Sequence, residues 1–275
     1  MEKLCFFNGK IEPLSKVSVD DIGFLRGYGV FEVLRTYSSN PFLLREHLDR
    51  LEISARFLGL GEISARKEIS DAIRELISRF PNKEVSLRVV LTGGQTLDAW
   101  SFNPKSPTLL IIAEEFIAPN NDIYEKGVYL FPVEHQRTFP KVKTLNYIFP
   151  IKTRRDIEGK GFYDLLYTSN GKVLESSTSN FFIVKGNNLI TSANDILMGI
   201  TRGFVIDIAK EHFNIEERVV RFDELETADE AFITATNKEI IPVTKVGDLT
   251  IGLGVVGSVT KELMSLFKER VKAEN

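Results

Sequence analysis

Apolar residues recur along this chain with two different periods, and the change of period marks out its elements. In EHLDRLEISARFLGLG, with Leu44 just ahead of it, Leu48, Leu51, Ala55 and Leu58 return every third or fourth position, which lines one face of a helix that Gly59 or Gly61 closes. ISARKEISDAIRELISRF repeats the pattern through Ile69, Ile73, Leu76, Ile77 and Phe80, with Ser64 as its expected cap. The period then shortens. VSLRVVLT and TLLIIAEE are strand-like runs of Val, Ile and Leu, joined by the turn-rich GGQTLDAWSFNPKSP. Residues 4–36 read as mostly extended, interrupted at Gly23, Gly27 and Gly29.

The second half alternates less regularly. VYLFPV, DLLYTS, NFFIV, NLIT, RVVRF and EAFITAT predict strands. Helices are expected over residues 149–158, ended by Gly159, within TRGFVIDIAKEHF, and in the closing SVTKELMSLFKERVKA. Such irregular exchange favours an α+β or mixed α/β fold over a regular βαβ series. The Pro- and Asn-bearing stretch at residues 119–127 is the expected linker between a smaller N-terminal α/β domain, residues 1–118, and a larger C-terminal domain, residues 128–275.

Composition narrows the chemistry. A chain of 275 residues with 43% apolar content can bury one large core or two modest ones. Net charge is −3, with 35 basic and 38 acidic side chains interspersed, so no basic face points to nucleic acid. The opening MEKLCFFNGKIEPL is too short an apolar stretch for a signal peptide, and no segment approaches the roughly 20 apolar residues of a membrane span. A soluble cytoplasmic protein is the expectation. Cys5 is the only cysteine, and His47, His135 and His212 stand far apart, so no metal centre is expected.

Among the motifs, GLGVVG at residues 252–257 fits the dinucleotide pattern GxGxxG, but no following strand or acidic ribose binder remains before the chain ends. It reads as a turn feeding the last helix. A scattered set carries more. VLESSTSNFFIV places Glu175 before a Ser/Thr/Asn run, and MGITRGF puts Ile200 and Thr201 at a helix N-terminus, where free N–H groups favour a phosphate. Arg50, on the helix of EHLDRL, carries a guanidinium able to grip a phosphate twice, and Thr236 ends a strand in ITATNKEIIPV. PKVKTLNYIF holds Lys141 and Lys143, two apart; a strand aims both the same way, so spacing alone does not separate them.

Taken together, HLDRL, KTLN, ESSTSNFF, GITR and TNKEIIPV resemble the fold-type IV pyridoxal-phosphate enzymes, the class IV aminotransferases, over about residues 5–262. That group includes branched-chain and D-amino acid aminotransferases and aminodeoxychorismate lyases. The resemblance implies a two-domain fold with the active site between the domains, a homodimer whose partner contributes a loop, and pyridoxal 5'-phosphate as cofactor. It selects Lys143, the lysine followed by Thr-Leu-Asn, as the amine that holds the cofactor's aldehyde and later moves a proton. Glu175 would keep the pyridine nitrogen protonated. Arg50, Ile200, Thr201 and Thr236 would hold the phosphate, with Asn237 or Ala235 lining that pocket. Tyr147 would reach the phenolic oxygen, although it lies one residue nearer Lys143 than in branched-chain members.

LRGYGVFEVLRTY matches the family's N-terminal active-site strand, with Phe31, Val33 and Arg35 on one face. Arg26 stands where branched-chain members usually carry Tyr, and Arg88 lies on a neighbouring strand. Some D-amino acid aminotransferases look similar in using such an arginine pair for substrate carboxylates. The plainer alternative pairs either arginine with Glu32 or Glu84. The expected substrates are a D-amino acid such as D-alanine or D-glutamate and a 2-oxo acid such as 2-oxoglutarate or pyruvate. A branched-chain L-amino acid reading, suited to Phe31 and Trp100, is the alternative. The lyase is disfavoured because Val33 replaces the threonine that activity usually supplies.

Overall fold

The computed structural model describes residues 3–7, 9–13, 16–61, 66–98 and 100–274. Ser64, the expected cap of the second helix, lies outside them. The chain divides into two compact units, Met1–Ile117 with Val142–Asn146, and Ala118–Lys141 with Tyr147–Glu274.

In the first unit, strands β1 (Lys3–Phe7), β2 (Lys10–Glu12), β3 (Gly29–Tyr37), β4 (Asn40–Pro41), β5 (Val85–Thr92) and β6 (Thr108–Glu115) form an antiparallel sheet in the order β2-β1-β6-β5-β3-β4. Helices α1 (Ile22–Arg26), α2 (Leu44–Phe57) and α3 (Arg66–Ser78) complete it. Side chains alternate faces along β3. Val30 and Leu34 join Leu87, Val89, Ile111 and Ala113 in a core shared with Leu48, Leu51 and Ala55 of α2 and Ile69, Ile73 and Leu76 of α3. Each such buried Val, Leu or Ile side chain contributes about 1.5–3 kcal/mol. Phe31, Val33 and Arg35 point to the opposite face, as the period-2 pattern requires.

Val142–Asn146 lies by sequence within the expected C-terminal domain, yet it packs in the first unit because it adds to the edge of β3. The Phe31 N–H donates to the Lys143 carbonyl (3.0 Å), the Leu145 N–H to the Gly29 carbonyl (3.0 Å), and Val30 pairs with Thr144 between them. Glycine is needed at residue 29, where a Cβ would lie 2.7 Å from Leu145 Cδ1 and 2.8 Å from the Leu91 carbonyl oxygen. Val142 anchors the segment in the core, only 3% exposed.

The second unit contains β7 (Val128–Glu134), β8 (Asp164–Ser169), β9 (Lys172–Ser176), β10 (Asn180–Lys185), β11 (Asn188–Thr191), β12 (Asn214–Glu217), β13 (Val220–Arg221), β14 (Glu230–Ala235), β15 (Glu239–Val246) and β16 (Leu249–Thr250). Its helices are α4 (Asp122–Glu125), α5 (Ile148–Asp156), α6 (Ile200–Ala209) and α7 (Ser258–Glu274). The strand order is β12-β11-β10-β14-β15-β7-β8-β9-β13, with β16 on β15. A further pairing of Glu175 with Asn180 joins β9 back to β10, closing a circuit of strands. The strand expected from RVVRF is only two residues long. The Glu224 carboxylate accepts the Arg221 N–H (2.9 Å), turning the chain into a 3-10 helix at Phe222–Thr227. The expected linker holds α4, whose first residue, Asp122, donates its N–H to Asn120 Oδ1 (3.0 Å).

The glycine-rich stretch before α7 is a turn. Gly252 has φ +52° and would put a Cβ 2.0 Å from the Asp229 carbonyl oxygen. The carboxylate of Glu230 accepts from the N–H groups of Val259 (3.0 Å) and Thr260 (2.7 Å), so donors that a dinucleotide phosphate would use are already occupied. Among the described residues, no helix is long and apolar enough to cross a membrane.

Candidate active site

Lys143 lies opposite Phe31 in the pairing of Val142–Asn146 with β3, so the two side chains share a face. Its Nζ stands 4.7 Å from the Phe31 ring centroid. The guanidinium of Arg88, one strand over on β5, lies 5.9 Å from the same ring. Two cationic groups therefore flank one aromatic ring. Lys141, belonging to the second unit, is exposed.

Beneath that face, Glu32 is fully buried on the helix side of β3. Its Oε1 accepts from Arg50 Nε (2.7 Å), and its Oε2 accepts from Arg50 Nη2 (2.8 Å) and faces His47 Nδ1 (2.8 Å). Burial alone would raise the Glu32 pKa, but the charge and hydrogen bonds of Arg50, with those of His47, override it and hold the carboxyl far below its usual range. Burial pushes the His47 imidazole down despite Glu32, and Arg50 and Lys143 add to the shift. A neutral imidazole facing a carboxylate carries its hydrogen on Nδ1. Nε2 is then a buried acceptor with no partner among the described residues.

The other arginines separate. Arg26 is exposed, with its guanidinium 5.9 Å from the Trp100 ring centroid. Arg35 is 8% exposed and enclosed between the rings of Phe116 (3.6 Å) and Tyr37 (4.1 Å). It packs the aromatic edge of the sheet. The acidic partners considered for Arg26 and Arg88 are engaged elsewhere, Glu32 by Arg50 and His47, and Glu84 by the Thr36 hydroxyl and the Ser38 N–H (2.7 Å).

In the second unit, Glu175 is 5% exposed near the end of β9. Its Oε1 accepts from Arg137 Nε (2.9 Å), and its Oε2 from the Leu197 N–H (3.1 Å). Arg137 also donates to the Pro140 carbonyl. Asn180 Nδ2 donates to the Leu197 carbonyl (2.8 Å), and a Cβ added to Gly199 would lie 1.9 Å from Asn180 Oδ1. Gly199 is the N-cap of α6 and makes no side-chain cap, leaving Ile200 and Thr201 in the first turn, whose N–H groups have no intrahelical acceptor. Thr236 and Asn237 sit in the turn between β14 and β15, closed by the Lys238 N–H on the Ala235 carbonyl (3.0 Å). Tyr147 precedes α5, and its carbonyl accepts the Ile151 N–H (3.1 Å). The Tyr167 hydroxyl is pushed above its ordinary pKa chiefly by burial, with Asp164, Tyr147 and Glu175 adding to the effect.

A family model for amino-transferase class IV matches residues 29–246 of this chain. The chain is a class IV aminotransferase. It is 34% identical to a putative branched-chain-amino-acid aminotransferase of Methanocaldococcus jannaschii, covering 96% of this chain and 95% of that one. It is 30% identical to a D-alanine aminotransferase of Bacillus licheniformis, with 98% and 97% covered. The fold matches the branched-chain amino acid aminotransferase of Escherichia coli with a TM-score of 0.90, at 27% identity over 97% of this chain and 93% of that one. It also matches a T.th. branched-chain amino acid aminotransferase complexed with N-(5'-phosphopyridoxyl)-L-glutamate, with a TM-score of 0.88 and 27% identity over 99% and 95%.

Class IV aminotransferases use pyridoxal 5'-phosphate, and the residues of this chain suit it. The first turn of α6 offers backbone donors to an anion, and in the same unit the buried hydroxyls of Ser179 and Thr234 have no partner among the described residues. The helical spacing of His47 and Arg50, three apart on one face, is the sequence signal that the two side chains can share one partner. Arg137 has no such signal, because Glu175 is 38 residues away.

Proposed function

We propose that this aminotransferase moves the amino group between a D-amino acid, such as D-alanine or D-glutamate, and a 2-oxo acid, such as 2-oxoglutarate or pyruvate. The observation that carries this reading is the pair of cations on Phe31, Lys143 at 4.7 Å and Arg88 at 5.9 Å. A substrate whose amino group meets the lysine would lie beside the ring that also carries the Arg88 guanidinium, and arginine binds carboxylates through two parallel hydrogen bonds.

When bound, pyridoxal 5'-phosphate supplies the electron sink for charge leaving the substrate Cα. Lys143 Nζ would hold the cofactor's aldehyde carbon and would act as the base toward the substrate Cα proton. Glu175 would keep the pyridine nitrogen protonated, and the donors on it, Arg137 and the Leu197 N–H, fix where the carboxylate points. Arg50, Thr201, Thr236 and the Ile200 N–H hold the phosphate, with Asn237 beside them. Glu32 takes the Nε and Nη2 edge of Arg50 and fixes the plane of its guanidinium. Tyr147 reaches the phenolic oxygen.

A branched-chain L-amino acid is the second reading, favoured by the apolar Phe31 ring and by Trp100, 83% exposed. Incubation with D-alanine, D-glutamate, L-leucine and L-glutamate, each followed spectroscopically to the aminated cofactor, separates the two. Faster conversion of the D-enantiomers is expected; faster conversion of L-leucine would overturn the D assignment. We also infer a cytoplasmic homodimer. Its support is the group of apolar side chains left open on the first unit, Val19, Phe24, Leu97 and Trp100.

A further inference from the structure

Asp164 opens β8 and is fully buried, and the assigned machinery does not use it. Its Oδ1 accepts from the Ser177 hydroxyl and from the Leu165 N–H (2.8 Å), and lies 3.5 Å from Arg154 Nη1. Its Oδ2 accepts from the Thr178 hydroxyl (3.3 Å) and faces Lys238 Nζ (3.5 Å), while Lys238 Nζ also donates to Thr178 Oγ1 (2.8 Å). One carboxylate thus ties together two loops distant in sequence. Ser177 and Thr178 belong to the bend that begins at Glu175 and ends at Asn180, where the Ser176 N–H bonds the Ser179 carbonyl (2.7 Å). Lys238 closes the turn that carries Thr236 and Asn237, and its carbonyl accepts from the Tyr124 hydroxyl (3.1 Å).

We propose that Asp164 is a positioning residue for the cofactor phosphate: through Thr178 and Lys238 it holds the Thr236 turn at a fixed distance from the Glu175 bend. A buried carboxylate meeting several donors is kept in place by them and keeps them in place, since an unpaired partner there is costly. This inference rests on the assignment of Thr236 to the phosphate.

Asp164→Asn keeps an acceptor toward Ser177 and Leu165 but turns an amide N–H toward Lys238 and Thr178, so it cuts the tether to the turn selectively. The test titrates cofactor-stripped enzyme with pyridoxal 5'-phosphate and, separately, with pyridoxal, which lacks the phosphate, reading absorbance. For Asp164→Asn the affinity for pyridoxal 5'-phosphate should fall about tenfold or more while that for pyridoxal changes less than about threefold, as expected for loss of a charge-assisted contact felt at one end of the ligand. Lys238→Met should show the same selectivity, and the double variant should be no weaker than Lys238→Met alone, because the pair is then already broken. Equal weakening of both ligands would overturn the proposal, as would additive losses in the double variant. Thr236→Val distinguishes the underlying assignment. Unchanged affinity there would overturn the phosphate role of the turn and this inference with it, whereas a weakened Thr236→Val beside an unaffected Asp164→Asn would overturn the role of Asp164 alone.

Discussion

At the scale of single residues, the proposed chemistry would rest on side chains held by partners that are themselves largely buried. Glu175 has both oxygens engaged, by Arg137 and by the Leu197 N–H, so its carboxylate is held in one orientation. Glu175→Gln preserves the shape and removes the charge. It should lower kcat by about 100-fold or more, the usual cost of losing a preorganised electrostatic partner, while KM for the amino acid changes far less. Steady-state kinetics checks this, and a rise in KM with kcat intact would contradict it. Arg88 tests the substrate side. Arg88→Met should raise KM for 2-oxoglutarate by about tenfold and for pyruvate by less, because the former brings a second carboxylate.

Within the first unit, the elements explain why Glu32, His47 and Arg50 meet. Glu32 on β3 and His47 and Arg50 on α2 clamp strand to helix, and the clamp gives the first unit a pH dependence. His47 is buried neutral with its pKa below the ordinary 6.5, so as pH falls through 6.5 the unfolded chain gains a proton that the folded chain refuses, and stability declines. Glu32 is depressed below its ordinary 4.5, so its contribution is full above that value and is lost as pH falls toward the folded pKa. The melting temperature should therefore drop as pH falls from about 7.5 to about 5.5, and less steeply in His47→Asn, whose amide can still face Glu32. Equal slopes would contradict the account. In the second unit, Gly199→Ala would drive a methyl to 1.9 Å from Asn180 Oδ1 and displace the start of α6. A loss of about 1–3 kcal/mol, read by denaturant unfolding, should accompany weaker cofactor binding.

For the molecule as a whole, the homodimer inference predicts that Phe24→Asp with Trp100→Asp shifts sedimentation toward a monomer; a wild-type chain that sediments as a monomer would contradict it. Much of the fold is legible in the sequence because it is written locally. The stripe Leu48, Leu51, Ala55 specifies α2, and the alternation in LRGYGVFEVLRTY places Phe31 and Arg35 on one face. What escapes is set by contacts distant in sequence. Arg35 shares that face yet goes into aromatic packing because Phe116, far along the chain, covers it. Lys141 and Lys143 have the same parity, and only the pairing of Val142–Asn146 with β3 brings Lys143 to Phe31. Glu32 meets His47 and Arg50 through tertiary packing, and the spacing of the two bases on α2 does not by itself say which acid they clamp.

The central claim is that Lys143 is the amine that holds the cofactor. Borohydride reduction of the enzyme loaded with pyridoxal 5'-phosphate, followed by peptide mass mapping, tests it most directly. The phosphopyridoxyl mass should appear on Lys143 and vanish in Lys143→Ala; a label on Lys141, or one that persists undiminished in Lys143→Ala, would contradict the account.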